Sequence, residues 1–301
     1  MVDPDGRIVG RARAKTKAWR DDEDVFSTIA RTGHQAIGAA GLALADLAAV
    51  GIGAPGPLDP GSGYIIESAN LKFKNFPLGP RLTEEFGVPT TVENDVNAGV
   101  YGEQSAGAAR GARDVLGVFV GTGIGGGLIL DGQLYHGSSL NAGEVGHIII
   151  KAAGPRCGCG NRGCLEALAS RVAITRDVRR AIKRGRKSVL AAHLEKKNGL
   201  LSSQTLKGAY DARDALAVRV MNRAAKSLGI ALGSLVNLFG PEMIVLGGGV
   251  VEAMGDEFIA RIDRATRKIA FEICVRNLKI VKAELGDDAG VIGAALLARE
   301  R

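Results

Sequence analysis

No apolar run in this chain approaches the roughly 18 residues that a membrane-spanning helix requires. Met1 is followed by Val-Asp-Pro-Asp, which does not read as a basic and then greasy leader, and none is expected. A cytoplasmic protein with no membrane partner is the resulting expectation. Cysteine is scarce as well: of four, Cys157, Cys159 and Cys164 share one glycine-rich loop and Cys274 stands apart. That spacing argues against a disulfide framework, because neighbours as close as Cys157 and Cys159 do not bridge easily and a cytoplasmic compartment keeps thiols reduced. The net charge of +7 raises nucleic acid as a partner, but much of the excess lies in residues 176–197, in a helical pattern without interleaved aromatic residues. A solvated helix face accounts for it, and no nucleic-acid partner is expected.

What the sequence does contain is apolar material for two cores: 46% of its 301 residues are hydrophobic, over a length of about two average domains. Its 43 glycines fall in short clusters at the ends of apolar runs, where tight turns beside strands belong. From residue 115 the order VLGVFV, GTGIGGG, LIL, Asp131-Gly132, QLYHG reads as a three-stranded meander. Further on, periodicity over 224–238 gives a helix, MIVL a buried strand, and Gly247, Gly248 and Gly249 a turn. The first half repeats this order, with a helix over 34–47, a strand over 50–52 and a turn over 53–56. In the same alignment RIVGRARA, after Pro4-Asp5-Gly6, matches QLYHG as a third strand. A first lobe lacking its first two strands is therefore expected. The organisation expected is a smaller lobe over 1–112, a larger one over 113–288, and a helix over 289–301 that packs back on the first, with a cleft between the lobes.

Four groups of residues carry chemistry. GTGIGGG matches a Gly-x-Gly-x-x-Gly pattern, but a strand and not a helix follows it. Gly121, Thr122, Gly123, Gly125 and Gly126 thus read as a hairpin turn whose amides can surround phosphate oxygens, with a plain structural hairpin as the alternative. In TTVENDVNAG a strand gives way to a helix at Asn94 and Asp95. Asp95 is either the helix N-cap or a general base placed to take a hydroxyl proton during phosphoryl transfer. His147 with Cys157, Cys159 and Cys164 offers one imidazole and three thiolates, a closed tetrahedral set for a structural Zn²⁺ ion. Glu144 and Glu166 bracket that loop; carboxylates fixed beside a metal suit sugar hydroxyls, while each alone could equally be a surface or capping residue.

GAPGPLD, SANL, VENDVNAG, GTGIGGG, AGEVGH, CGCGNRGCLE and IVLGGGV stand in the order found in the ROK family (repressor, open reading frame, kinase), which the chain resembles over nearly its whole length. That family includes bacterial glucokinases, amino-sugar kinases, fructokinases and sugar-responsive repressors. The resemblance implies an α/β, duplicated, two-lobed actin-like ATPase (ribonuclease H-like) fold and ATP-dependent phosphorylation of a hexose. Glucose leads, with N-acetylglucosamine, N-acetylmannosamine and fructose as alternatives. It further implies that Asp95 takes the proton of the sugar 6-hydroxyl and that Asn70, Asn94, Glu144, His147 and Glu166 hold the sugar, His147 sharing its two ring nitrogens between zinc and sugar. The 121–128 turn would hold ATP phosphates, and Gly247, Gly248 and Gly249 the adenosine side. ATP, Mg²⁺ and structural Zn²⁺ are the implied cofactors, and a homodimer or homotetramer is the expected assembly. The family's first phosphate loop, of Asp-x-Gly-Gly-Thr type and tied to Mg²⁺, has no counterpart in this sequence. A sugar-binding, non-catalytic regulatory protein is therefore the second expectation.

Overall fold

The structure of the protein, a computed structural model, describes residues 1–16, 21–68, 71–194 and 199–300. The chain divides into two compact units, Met1–Gly111 with Gln133–Ala142 and Asp287–Arg301, and Ala112–Gly132 with Gly143–Gly286.

In the first unit, helix α1 (Asp22–Ala39) starts where the Asp21 carboxylate accepts the Asp24 N–H, and three acidic residues in its first turn favour the positive end of the helix dipole. It begins earlier than the apolar pattern predicts and stops at Ala39, because Gly41 takes a φ of +69° that no helix continues; Leu44–Asp46 form only a 3₁₀ turn. Strand β1 (Val50–Ala54) follows, then the antiparallel β2 (Leu58–Asp59), β3 (Tyr64–Ser68) and β4 (Phe73–Phe76). Helix α2 (Leu78–Phe86) ends on Gly87, which is left-handed, and leads to β5 (Thr90–Asn94), which runs parallel to β1 with Ala54 beside Asn94. Helix α3 (Asp95–Ala106) leaves the end of β5. Phe26, Ile65, Phe73, Leu82 and Val92 fill the core of this unit. The run RIVGRARA, expected as a strand, makes only one antiparallel bridge, Val2 to Ile8, about a turn whose Gly6 has φ +83°.

The second unit opens with β6 (Val115–Val120) and β7 (Ile124–Leu130), an antiparallel hairpin; the short strand β8 (Gln133–Leu134) belongs to the segment that clusters with the first unit. Short α4 (Glu166–Ala169), α5 (Arg171–Lys183), α6 (Ala191–Leu194) and α7 (Ser203–Asp211) precede the 25-residue α8 (Ala215–Phe239). Strand β9 (Met243–Gly247) is parallel to β6 on one side and to β10 (Lys279–Lys282) on the other, giving the order β10-β9-β6-β7. Helix α9 (Gly249–Arg267) and the single turn α10 (Glu272–Val275) lie between β9 and β10. The near-continuous apolar runs of β6 and β9 belong to strands buried on both faces, and Leu116, Val118, Leu228, Leu232, Ile244 and Leu246 form the core there.

The last helix, α11 (Ala289–Glu300), returns to the first unit and packs against α3 and β1. The approach needs small residues: a Cβ on Gly102 or Gly293 would collide with the Ala289 or Ala98 carbonyl, and one on Gly51 with that of Ala294. Two helices locked at backbone contact hold the first turn of α3, and with it Asp95, in a fixed place.

Candidate active site

At the end of β5, Asn94 Oδ1 accepts the Val96 and Asn97 N–H groups at 2.9 and 3.2 Å. Asn94, and not Asp95, is therefore the N-cap, which removes the capping alternative for Asp95 and leaves the Asn94 side-chain amide N–H groups as its donors toward a ligand. Asp95 is the first helical residue, with Oδ1 accepting from the Val96 amide at 2.9 Å. Its side chain reaches solvent, yet desolvation lifts its pKa above the ordinary carboxylate value, outweighing backbone hydrogen bonds from Val96 and its own amide. A carboxylate of raised pKa is a better proton acceptor near neutral pH.

Two residues that the sequence reading passed over surround this turn. Glu93 is 1% exposed; its Oε1 accepts the Asn94 N–H at 3.0 Å and Asn97 Nδ2 at 3.1 Å, and its Oε2 lies 2.8 Å from His136 Nε2. Burial alone would raise the Glu93 pKa, but the hydrogen bond and charge of His136, with Asn97 and Asn94, hold it below the usual range. The only sequence signal was an acidic residue at an inward position of a strand.

In the second unit the β6–β7 turn is tighter than GTGIGGG suggests. Gly121, Thr122 and Gly123 make it, with the Gly121 N–H donating to Gly123 O at 2.9 Å, while Gly125 and Gly126 lie inside β7, paired with Phe119 and Val118. Gly126 is small for packing, since a Cβ there would stand 2.5 Å from Val145 Cγ2. Arg171, at the start of α5, donates from Nη2 to Thr122 Oγ1 at 2.6 Å and from its amide to Gly121 O at 3.0 Å, a tie no motif indicated. Gly247 ends β9, paired with Phe119 in the parallel β6–β9 register, and Gly249 already opens α9, so the expected three-glycine turn is Gly248 alone; it and the 121–123 turn leave neighbouring C-terminal strand ends, where α/β sheets bind ligands. Gly248 has φ +82°, and a Cβ on it would meet the Val120 backbone at 2.8 Å, so only glycine fits.

His147, Cys157, Cys159 and Cys164 come together with all four ligand atoms within 4.8 Å of one another. Cys159 and Cys164 Sγ are 3.7 Å apart, as are Cys157 Sγ and His147 Nδ1. A tetrahedron with metal–sulfur bonds of about 2.3 Å has edges of about 3.8 Å, so the set fits one Zn²⁺. The chemistry agrees: burial and the other two thiols push Cys164 up to about 12 while backbone hydrogen bonding at Asn161 lowers Cys159, an arrangement of thiols that only a cation lets ionise together. Gly160 and Gly163 turn the loop with φ of +95° and +77°.

Glu166 connects this cluster to the hairpin. Its Oε2 accepts the Ile124 N–H at 3.0 Å and its Oε1 lies 3.8 Å from Cys157 Sγ. A Cβ on Gly123 would collide with Oε2. Gly123→Ala is therefore expected to cost about 1–3 kcal/mol in urea unfolding, with Ile124 amide exchange accelerated as the Glu166 carboxylate is pushed off it. Glu144 is exposed, its Oε2 4.0 Å from His147 Nε2. Glu144, His147, Glu166 and the three cysteines thus gather beside the hairpin within the second unit, while Asn94 and Asp95 share the β5–α3 turn of the first. Asn70 lies outside the described residues.

A family model described as "ROK family" matches residues 1–301. A glucokinase of Halalkalibacterium halodurans is 38% identical over 257 residues, 85% of this chain and 77% of that protein. A xylose repressor of Caldicellulosiruptor bescii is 30% identical over 96% of this chain and 71% of its own length. Among solved structures, a ROK family glucokinase from Streptomyces griseus in complex with glucose and AMPPNP superposes with a TM-score of 0.83 at 32% identity, over 100% of this chain and 95% of that one.

Proposed function

Because the chain belongs to the ROK family, and shares the actin-like ATPase fold of its solved sugar-kinase relatives, we propose that it is a glucokinase-like sugar kinase. It transfers the γ-phosphoryl group of MgATP to the 6-hydroxyl of a hexose, glucose first. The observation that carries this reading is Asp95, held by a separate N-cap at a strand end with its pKa raised. Asp95 takes the 6-hydroxyl proton as that oxygen attacks the γ-phosphorus; the bond from γ-phosphorus to the β–γ bridging oxygen breaks, and ADP departs with the electron pair. The amides of Thr122 and Gly123 and the Thr122 hydroxyl meet phosphate oxygens, the Gly121 N–H being spent on Gly123 O within the turn, and Gly247, Gly248 and Gly249 lie on the adenosine side. Asn94 donates to the sugar, while Glu144, Glu166 and His147 Nε2 accept or share its hydroxyl protons. Bound Zn²⁺ supplies structural constraint on His147 and the cysteine loop, and the proton and phosphoryl steps belong to the protein groups and MgATP.

A coupled ADP-release assay over glucose, N-acetylglucosamine, N-acetylmannosamine and fructose tests the reading; glucose should give the highest kcat/KM, and no turnover with any hexose would overturn it. The pH dependence has a definite sign. Asp95 works as the anion, and its raised pKa means the anion is lost at a higher pH than for an ordinary carboxylate. The acid limb of kcat/KM is expected above about pH 4, and a limb at or below that value would remove Asp95 as the base.

The similarity to a xylose repressor favours a second reading, a sugar-responsive regulator. It expects calorimetric hexose binding with no ADP release in the presence of MgATP.

A further inference from the structure

The Glu93–His136 pair lies outside the roles assigned above. We propose that Glu93 and His136 are positioning residues for the general base: they set the turn that carries Asn94 and Asp95 and pin to it the stretch of chain that runs on into Glu144. The inference rests on the reading of Asp95 as that base.

A carboxylate with 1% exposure at a strand end is costly to bury, and an apolar side chain would fill the same space without that cost. Its oxygens reach specific groups, among the described residues the Asn94 amide, Asn97 and His136. Oε1 holds the amide of Asn94 and the side chain of Asn97, itself 5% exposed, so one atom grips the first turn of α3 on both sides of Asp95. Oε2 holds His136. His136 comes from Gln133–Ala142, a segment that leaves the second unit's hairpin, clusters with the first unit, and re-enters the second at Gly143. Within it the Ala142 N–H donates to His136 O at 3.0 Å and Gly137 takes φ +65°, closing a small loop around the histidine. Two residues past Ala142 stands Glu144. One buried hydrogen-bonded contact therefore governs the seat of Asp95 and anchors the chain leading to a sugar-binding carboxylate. With the His136 side chain 17% exposed, solvent screens the contact little.

The test compares His136→Phe, His136→Gln and Glu93→Gln with Asp95→Asn, reading kcat, both KM values, zinc content and Tm. Loss of positioning in His136→Phe is expected to lower kcat about 10- to 100-fold and raise the hexose KM, with the MgATP KM unmoved. His136→Gln, whose Nε2 can still donate to Glu93, should recover most of the loss, which a role in stability alone would not explain. Should His136→Phe fail to fold, Glu93→Gln keeps an acceptor for the Asn94 amide and is expected to show the same kcat loss. A folded, zinc-replete His136→Phe or Glu93→Gln with kcat within about threefold of native, or His136→Gln no better than His136→Phe, would overturn the proposal. An Asp95→Asn protein that keeps its activity would instead overturn the reading of Asp95, whatever the other variants do.

Discussion

Asp95→Asn is expected to fold, retain zinc and bind hexose, and to turn over about 10²- to 10⁴-fold more slowly than the native chain. The substitution is nearly isosteric at a position whose capping work is done by Asn94, so the turn keeps its shape. What disappears is the anion proposed to accept the sugar proton. Because the missing interaction forms during the transfer, the loss should fall on kcat with the hexose KM little changed. Steady-state kinetics beside glucose calorimetry measure it; a variant within tenfold of native kcat would remove Asp95 from the chemistry.

Cys164→Ser carries the second large effect. Cys164 is fully buried, 3.7 Å from Cys159, and its thiol is pushed up to about 12 by burial and by its sulfur neighbours. Serine offers no thiolate, so zinc is expected to fall from about one per chain to near zero. Losing a structural metal belongs with substitutions costing above about 4 kcal/mol, which for a domain of this size lowers Tm by about 10 °C or more. The effect should spread beyond the loop, because Cys157 faces Glu166 and Glu166 holds the Ile124 amide of the β6–β7 hairpin. Hydrogen exchange at Ile124 should accelerate together with the loss of zinc. Elemental analysis and calorimetry decide it: native protein that folds fully after chelation, with Tm unmoved, would contradict a structural metal.

The parts of this molecule that were legible in the sequence are those where local chemistry dictates the outcome. The hairpin followed by a strand, the buried run MIVL with its glycines, and the strand-to-helix junction at Asn94 each stand where the residue pattern puts them. The cysteine loop was readable because three thiols and an imidazole at short spacing have few other uses, and the structure brings their ligand atoms together. Boundaries set by packing were not legible. Gly126 reads as a turn residue but is small because Val145 presses on β7, and α1 begins a dozen residues before the position its apolar pattern suggested. RIVGRARA has alternating strand character but makes one bridge, with Arg11 drawn into a paired contact with Asp288 instead. Contacts between residues far apart in sequence were invisible for the same reason: nothing near Thr122 announces Arg171, and nothing near Glu93 announces His136.

The most direct trial is ³¹P nuclear magnetic resonance of the chain incubated with MgATP and glucose. Transfer by the groups described here gives a sugar 6-phosphate monoester resonance growing in step with ADP, one for one, and none of it with Asp95→Asn. ATP that stays intact beside glucose, or is hydrolysed to ADP and inorganic phosphate with no sugar phosphate formed, would contradict the account.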